Sequence, residues 1–236
     1  MCGIAGFVND MPIDVKCPVL QRMTDMIAHR GPDSEGHYID EHAALGHRRL
    51  GIIDLGGGQQ PIYNEDGSKV ITFNGEIYNY QTLREELIAA GHTFTTKSDT
   101  EVLLHGYEQW GVDLLQRVRG MFTFVIWDKN KQELFGARDH FGIKPFYYAK
   151  MNGTFMYASE IKSLLRHPDF VKELNAEALK PYMTFQYPAI GETFFKGVYK
   201  LPEGHYFTYR DGKMDIHRYY DEDFREGKQK LGELVN

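Results

Sequence analysis

Three pairs of short apolar runs, each pair hinged on a polar turn, constrain this chain more than any other feature of its sequence. Met121 to Trp127 is a dense apolar run, Asp128-Lys129-Asn130-Lys131 a turn, and Glu133 to Arg138 a return strand buried on one side. Phe146 to Ala149 and Thr154 to Ala158 flank Asn152-Gly153, and Tyr206 to Tyr209 and Met214 to Tyr219 flank Asp211-Gly212. Asn-Gly and Asp-Gly readily adopt the positive φ angles that two-residue hairpin turns demand. Shorter runs at Ile4 to Val8, Tyr38-Ile39, Ala44-Leu45, Leu50 to Ile53 and Val70 to Phe73 add strands. Between them the apolar spacing turns helical. Val19, Leu20, Met23, Met26 and Ile27 follow a helix opening at Pro18, and Leu83, Leu87 and Ile88 lie within Tyr80 to Ala90, which stops at Gly91. Val102 to Gln109 follows Ser98-Asp99, either of which can cap it; Asp113 to Arg117, Glu160 to Arg166 and Ala176 to Phe185 complete the set. Antiparallel hairpins with helices inserted between groups of strands predict an α+β fold. The expected architecture is a four-layer αββα sandwich, two mainly antiparallel sheets face to face with helices outside.

The 236 residues are 42% apolar, enough for a large core. Net charge is −6, with basic residues scattered rather than clustered, so nucleic acid is not an expected partner. No apolar run approaches bilayer-spanning length and no basic-then-apolar leader opens the chain, which makes the cytoplasm the expected compartment and excludes the membrane as an expected partner. Two cysteines and ten dispersed histidines without ligand spacing predict no metal.

Chemistry concentrates at the N-terminus. A cysteine directly after the initiator methionine is small enough for that methionine to be trimmed, which would place a thiol and a free α-amine on Cys2. Such an amine titrates near neutral pH and can take the proton of its own thiol. Downstream, His29-Arg30-Gly31-Pro32-Asp33 is a loop whose breakers are explained by a tight turn and whose charges are not. Val70 to Phe73 runs into Asn74-Gly75-Glu76-Ile77-Tyr78-Asn79, but the next segment is helical rather than a partner strand. Asn74-Gly75 is therefore expected at a strand-to-helix turn, with backbone N–H groups and an amide facing open space. Gly56-Gly57-Gly58 lacks the lysine and hydroxyl residue of a phosphate cradle.

Cys2-Gly3-Ile4-Ala5-Gly6, His29-Arg30-Gly31-Pro32-Asp33, Arg49-Leu50, Asn74-Gly75-Glu76-Ile77-Tyr78-Asn79, Ser98-Asp99-Thr100-Glu101, Gly120-Met121-Phe122 and Arg138-Asp139-His140-Phe141-Gly142 occur in this order. Together they closely resemble the N-terminal glutaminase domain of glutamine-hydrolysing asparagine synthetases, class II glutamine amidotransferases of the N-terminal nucleophile hydrolase fold. The resemblance spans residues 2–220. It implies that Cys2 attacks the side-chain amide of L-glutamine and forms a thioester, with Asn74 and Gly75 as the oxyanion hole. It implies that Arg49 clamps the substrate α-carboxylate while Glu76 and Asp99 hold the α-ammonium, with no cofactor for this step.

Residues 221–236 read as a linker and the start of a further domain that would be the synthetase partner. That domain's Ser-Gly-Gly-x-Asp-Ser loop, with its ATP and magnesium, does not occur here. The expectation is glutamine hydrolysis without asparagine synthesis. Another class II amidotransferase, one making phosphoribosylamine or glucosamine phosphate, is a second reading, less similar at Pro32-Asp33 and Asp139 to Gly142. A third is an inactive binding domain if Met1 is retained. The oligomeric state is left open, a homodimer included.

Overall fold

A computed structural model describes residues 1–52, 54, 56–186 and 191–222. Twelve strands form among them: β1 (Gly3–Val8), β2 (Ser34–Ile39), β3 (Ala43–Arg49), β4 (Ile62–Tyr63), β5 (Lys69–Ile77), β6 (Gly120–Asp128), β7 (Glu133–Arg138), β8 (Tyr147–Met151), β9 (Thr154–Ala158), β10 (Val198–Lys200), β11 (His205–Arg210) and β12 (Lys213–Arg218). They make two six-stranded antiparallel sheets, ordered β10-β8-β9-β1-β3-β2 and β12-β11-β7-β6-β5-β4. The three expected hairpins are β6–β7, β8–β9 and β11–β12. Asn152-Gly153 and Asp211-Gly212 take positive φ at both turn positions, as the sequence requires.

Period-two alternation sorts each strand between two apolar layers. On β1, Ile4 enters a core between the sheets with Val125, Trp127, Phe146, Phe155 and Phe207. Ala5 and Phe7 on its other face meet Leu20 and Met23 of helix α1 (Ile13–Asp25). On β6, Val125 and Trp127 point inward, whereas Phe122, Phe124 and Ile126 pack on Leu83 and Leu87 of α2 (Tyr80–Ala89) and Leu103 and Leu104 of α3 (Asp99–Trp110). Helix, sheet, sheet, helix is the expected four-layer order. Short helices α4 (Leu114–Arg117) and α5 (Ile161–Leu164) and the longer α6 (Ala176–Phe185) complete the set.

Three local readings are corrected. Helix α1 begins at Ile13, not Pro18, so Pro18 lies inside it and Cys17 sits in the helix rather than before it, exposed. Anchoring outweighs the backbone bond that proline forfeits: Lys16 is buried, and its Nζ donates to the carbonyls of Asp40 and Glu41 at 3.1 and 2.6 Å. Second, Leu50, Gly51 and Ile52 form no strand; β3 stops at Arg49, where Asp33 takes over, its N–H donating to Arg49 O and its carboxylate accepting from Gly51 N–H. Ile53 lies outside the described residues.

Third, Asn74-Gly75 is no turn. It lies within β5, opposite Thr123 and Phe122, and the chain turns only at Tyr78-Asn79 before α2. The expected linker and helix start lie outside the described residues from 223 onward.

Candidate active site

The alternation that builds the core also aims the site. Cys2 shares the parity of Ile4, Arg49 that of Leu45 and His47, and Asn74 that of Val70 and Thr72, so all three face the space between the sheets. They sit at the same end of it. Gly3 pairs with Arg48, placing Cys2 and Arg49 one residue beyond on adjacent strands. His47 Nε2 lies 3.0 Å from Phe73 O and ties β3 to β5 across the layers just there. Burial pushes the His47 pKa down to about 3, so the ring is neutral and Nε2–H is the donor to that carbonyl.

Beyond this staple a cavity of about 110 Å³ opens, lined by Cys2, Arg49, Asn74, Gly75, Glu76 and Asp99 together with Met1, Gln60, Ser98 and Lys144. The structure thus gathers every site residue expected from the sequence around one space. Cys2 Sγ is held by Leu50, whose N–H donates to it at 3.4 Å and whose carbonyl can accept from the thiol at 3.5 Å. Burial pushes the thiol's pKa up, opposed by the Leu50 N–H and by the positive charges of the chain's N-terminal amine and Arg49. A thiol held protonated in this way needs a base to become a nucleophile.

Two donors face the cavity from β5. Asn74 Nδ2 is buried with no hydrogen-bond partner among the described residues. The Gly75 N–H is located by its neighbours. Phe122 directs both its backbone groups at Asp139: its N–H donates to Oδ2 at 3.2 Å, and its carbonyl accepts from Asp139 N–H at 2.8 Å. Gly75 is opposite Phe122 and so makes no ladder bond to it, and its N–H points to the far edge of β5. There the N–H groups of Phe73 and Ile77 donate to Gln60 Oε1 at 2.6 Å and Asp99 Oδ2 at 3.0 Å, while β4 covers only Val70 and Ile71. The Gly75 N–H lies between them, on an edge that no strand covers among the described residues. A Cβ on Gly75 would stand 2.2 Å from Met121 O, which no side chain tolerates.

Asp99 is the first residue of α3. Ser98, not Asp99, is the cap, its hydroxyl accepting from Thr100 N–H at 3.1 Å. That leaves the Asp99 carboxylate aimed at the cavity, and burial raises its pKa to about 6 against the hydrogen bond from Ile77. Arg49 is buried, with one guanidinium nitrogen donating to Asp54 O at 2.7 Å.

Sequence reasoning left the charges of the loop 29–33 unexplained. Arg30 Nε donates to Cys2 O at 2.9 Å and Nη1 to Glu160 Oε1 at 3.0 Å, which fixes the strand end that carries the thiol; His29 contacts the same carboxylate. Lys144 and Leu50 were missed as well. Lys144 lies two residues beyond the Arg138 to Gly142 motif, and the Asp139 carboxylate accepts from the N–H groups of Phe141, Ile143 and Lys144, shaping the turn that brings Lys144 to the cavity. Leu50 acts through its backbone, which no side-chain pattern reveals.

A family model described as a glutamine amidotransferase domain matches residues 1–220. The chain belongs to this family. The amidotransferase domain is 45% identical to Asparagine synthetase [glutamine-hydrolyzing] 1 of Bacillus subtilis (strain 168), in a match covering all of this chain and 38% of that protein. It is 37% identical to Amidase chry2 of Gibberella zeae, covering 94% of this chain and 34% of the relative. This amidotransferase chain therefore spans little more than a third of the length of these relatives. Among solved structures it matches the glutamine phosphoribosylpyrophosphate amidotransferase of B. subtilis with a TM-score of 0.67 at 18% identity, over 94% of this chain and 50% of that one, a shared fold. No helix among the described residues is long and apolar enough to cross a membrane.

Proposed function

We propose that this domain hydrolyses L-glutamine to glutamate and ammonia through a thioester on Cys2, and that the ammonia serves a synthetase domain outside this chain. The observation that carries the reading is the pair of donors beside the Cys2 thiol: Asn74 Nδ2, which has no hydrogen-bond partner among the described residues, and the Gly75 N–H, on the edge of β5 that β4 does not cover. A carbonyl oxygen that becomes negative during attack needs such donors already in place, because donors that must reorganise stabilise the transition state less.

With Met1 removed, the Cys2 α-amine takes the thiol proton as sulfur bonds to the amide carbon. The resulting ammonium gives that proton to the leaving nitrogen as the C–N bond breaks, and ammonia departs from the thioester. The amine then takes a proton from water, the oxygen attacks, and the S–C bond breaks to release glutamate. Met1 stands in the way of both steps. It turns the Cys2 nitrogen into an amide and lines the cavity, with Lys144 Nζ 3.2 Å from its sulfur. Arg49 on one side and Asp99 with Glu76 on the other match a zwitterion, the guanidinium fork for the carboxylate and the carboxylates for the ammonium. The resemblance to asparagine synthetases supports aspartate as the acceptor of the ammonia, with ATP and magnesium bound by the other domain.

Two measurements test this reading. N-acetylglutamine leaves Asp99 buried without its cation, at about 3–5 kcal/mol, so its kcat/KM should fall below that of glutamine by roughly 10²- to 10⁴-fold. Asp99→Asn should narrow that gap by losing activity on glutamine. Equal rates on both substrates in the unaltered enzyme would reduce Asp99 to part of a helix start.

The second measurement is the pH profile. Only ionised Asp99 attracts the ammonium, and its pKa in the free protein is raised to about 6. For glutamine, kcat/KM should therefore decline as pH falls through about 6, with the loss mainly in KM, and Asp99→Asn should flatten this limb. Protonation of the Cys2 amine lowers kcat in either protein, so the decisive quantity is KM: a rise in KM below about pH 6 that persists unchanged in Asp99→Asn assigns it to another group.

A further inference from the structure

Four ligand-type side chains converge beside α3, and none of them lines the cavity that holds Cys2. Glu65 comes from the loop between β4 and β5, His92 from the segment after α2, and His105 and Glu108 from one face of α3; one nitrogen or oxygen of each lies within 4.8 Å of the others. His105 Nδ1 is 3.0 Å from Glu108 Oε2 and 3.5 Å from Glu65 Oε2, and His92 Nδ1 is 3.6 Å from Glu65 Oε1. Tetrahedral zinc with bonds near 2.0–2.1 Å sets its ligand atoms about 3.3 Å apart, which these spacings approach.

The surroundings fix which ring nitrogen faces inward. His105 is 1% exposed, and its Nε2, without a hydrogen-bond partner among the described residues, is directed at Glu101 Oε1, 3.5 Å away. Glu101 can only accept there, since its carboxylate already receives the N–H and hydroxyl groups of Thr95 and Thr96 at 2.6–3.0 Å. His92 Nε2 lies 3.1 Å from Gln109 Oε1. In the structure His105 Nδ1–H donates to Glu108 Oε2 at 3.0 Å, a proton that a cation would displace, while Glu101 beyond His105 Nε2 and Gln109 beyond His92 Nε2 orient the two rings with Nδ1 toward the cluster carboxylates. This is the outer-shell arrangement that orients histidine ligands of metals. The far oxygen of Glu108 is taken up by Asn64 Nδ2 at 2.7 Å, with Lys69 Nζ at 3.7 Å, which leaves Oε2 for the cluster. Glu65 is half exposed, and a cavity of about 360 Å³ beside it, lined by Ile62, Tyr63, Thr95 and His105 among others, gives an ion a way in.

We propose that Glu65, His92, His105 and Glu108 form a binding site for a borderline divalent transition metal, zinc above all. Two imidazoles and two carboxylates suit zinc, cobalt and nickel better than calcium or magnesium, which prefer oxygen alone. A bound ion would join the loop before β5, the segment after α2, and α3 itself. Because α3 starts at Asp99, the ion would also brace the helix that presents the substrate-side carboxylate. The competing arrangement is a proton on His105 shared among the same carboxylates with no cation bound.

The test uses the full chain with Cys2→Ala and Cys17→Ser, so that no thiol competes, stripped with chelator and titrated with Co²⁺ and then Zn²⁺. The expected result is one equivalent of Co²⁺ giving the visible absorption of a four-coordinate nitrogen and oxygen site, displaced by Zn²⁺, together with a Zn²⁺-dependent rise in Tm. Adding His92→Asn or Glu65→Gln, both at partly exposed positions that the fold tolerates, should weaken binding by about tenfold or more each and abolish the Tm response. Absence of binding at one equivalent, or affinity unchanged in both variants, overturns the proposal and leaves the protonated ion-pair cluster as the description.

Discussion

Cys2→Ala should lower glutamine turnover by at least about 10⁴-fold while the protein still folds and binds glutamine. The size follows from the role: without sulfur there is no thioester, and water alone must attack an unactivated amide, so what remains is the contribution of the donors and of positioning. Folding should survive because Cys2 lies one residue outside β1, held by the Leu50 backbone and by Arg30 at its carbonyl, and only the first of these involves the sulfur. Binding should survive because Arg49, Glu76 and Asp99 keep their places. The measurements are steady-state release of glutamate and calorimetric titration with glutamine. Turnover within about tenfold of the unaltered enzyme would remove the thioester from the mechanism. The intact mass belongs in the same experiment, since a chain that keeps Met1 has no amine on Cys2 and should be inactive for that reason alone.

Asn74→Ala is expected to reduce kcat by roughly 10²- to 10³-fold with KM little changed. One lost oxyanion donor has that effect because its hydrogen bond tightens only as charge develops on the substrate oxygen. Stability should barely move, or rise slightly. Asn74 Nδ2 is buried without a partner among the described residues, so its removal takes away an unsatisfied polar group rather than a hydrogen bond. That pairing of a large kinetic loss with no thermal loss separates a catalytic donor from a structural one. If kcat held and KM rose instead, Asn74 would be a contact to bound glutamine, and the oxyanion assignment would be withdrawn.

Much of the fold is local and was legible for that reason. Hairpin turns at Asn152-Gly153 and Asp211-Gly212 follow from the φ preferences of those residues, and the period-two runs beside them identify buried faces without knowledge of the partner. The ordered set of short motifs was likewise sufficient for the family. Errors arose where a local preference was overruled from a distance. Asn-Gly at 74–75 is a strong turn signal, yet β6 pairs along the whole of β5 and Met121 O closes against Gly75, so the glycine serves close strand approach rather than a turn. Pro18 resembled a helix start because the anchoring of Lys16 on the carbonyls of Asp40 and Glu41 cannot be seen in the residues around the proline.

What the sequence held by itself was the inventory: a thiol at Cys2, a guanidinium at Arg49, an amide and a glycine at Asn74 and Gly75, carboxylates at Glu76 and Asp99, and sheets with helices to carry them. Only the tertiary structure decided where those groups point. The Gly75 N–H turns to the far edge of β5 because Phe122 is bonded to Asp139, and β4 does not reach it there, both consequences of contacts far apart along the chain. Ser98 caps α3 and frees the Asp99 carboxylate for the cavity, a choice the sequence left open between neighbours. Histidines that show no spacing as ligands along the chain meet beside α3, because a loop, a helix end and a helix face are folded onto one another there. Parity along a strand is a local property, but which strands lie side by side, and which ends coincide, is set by the packing of the two sheets.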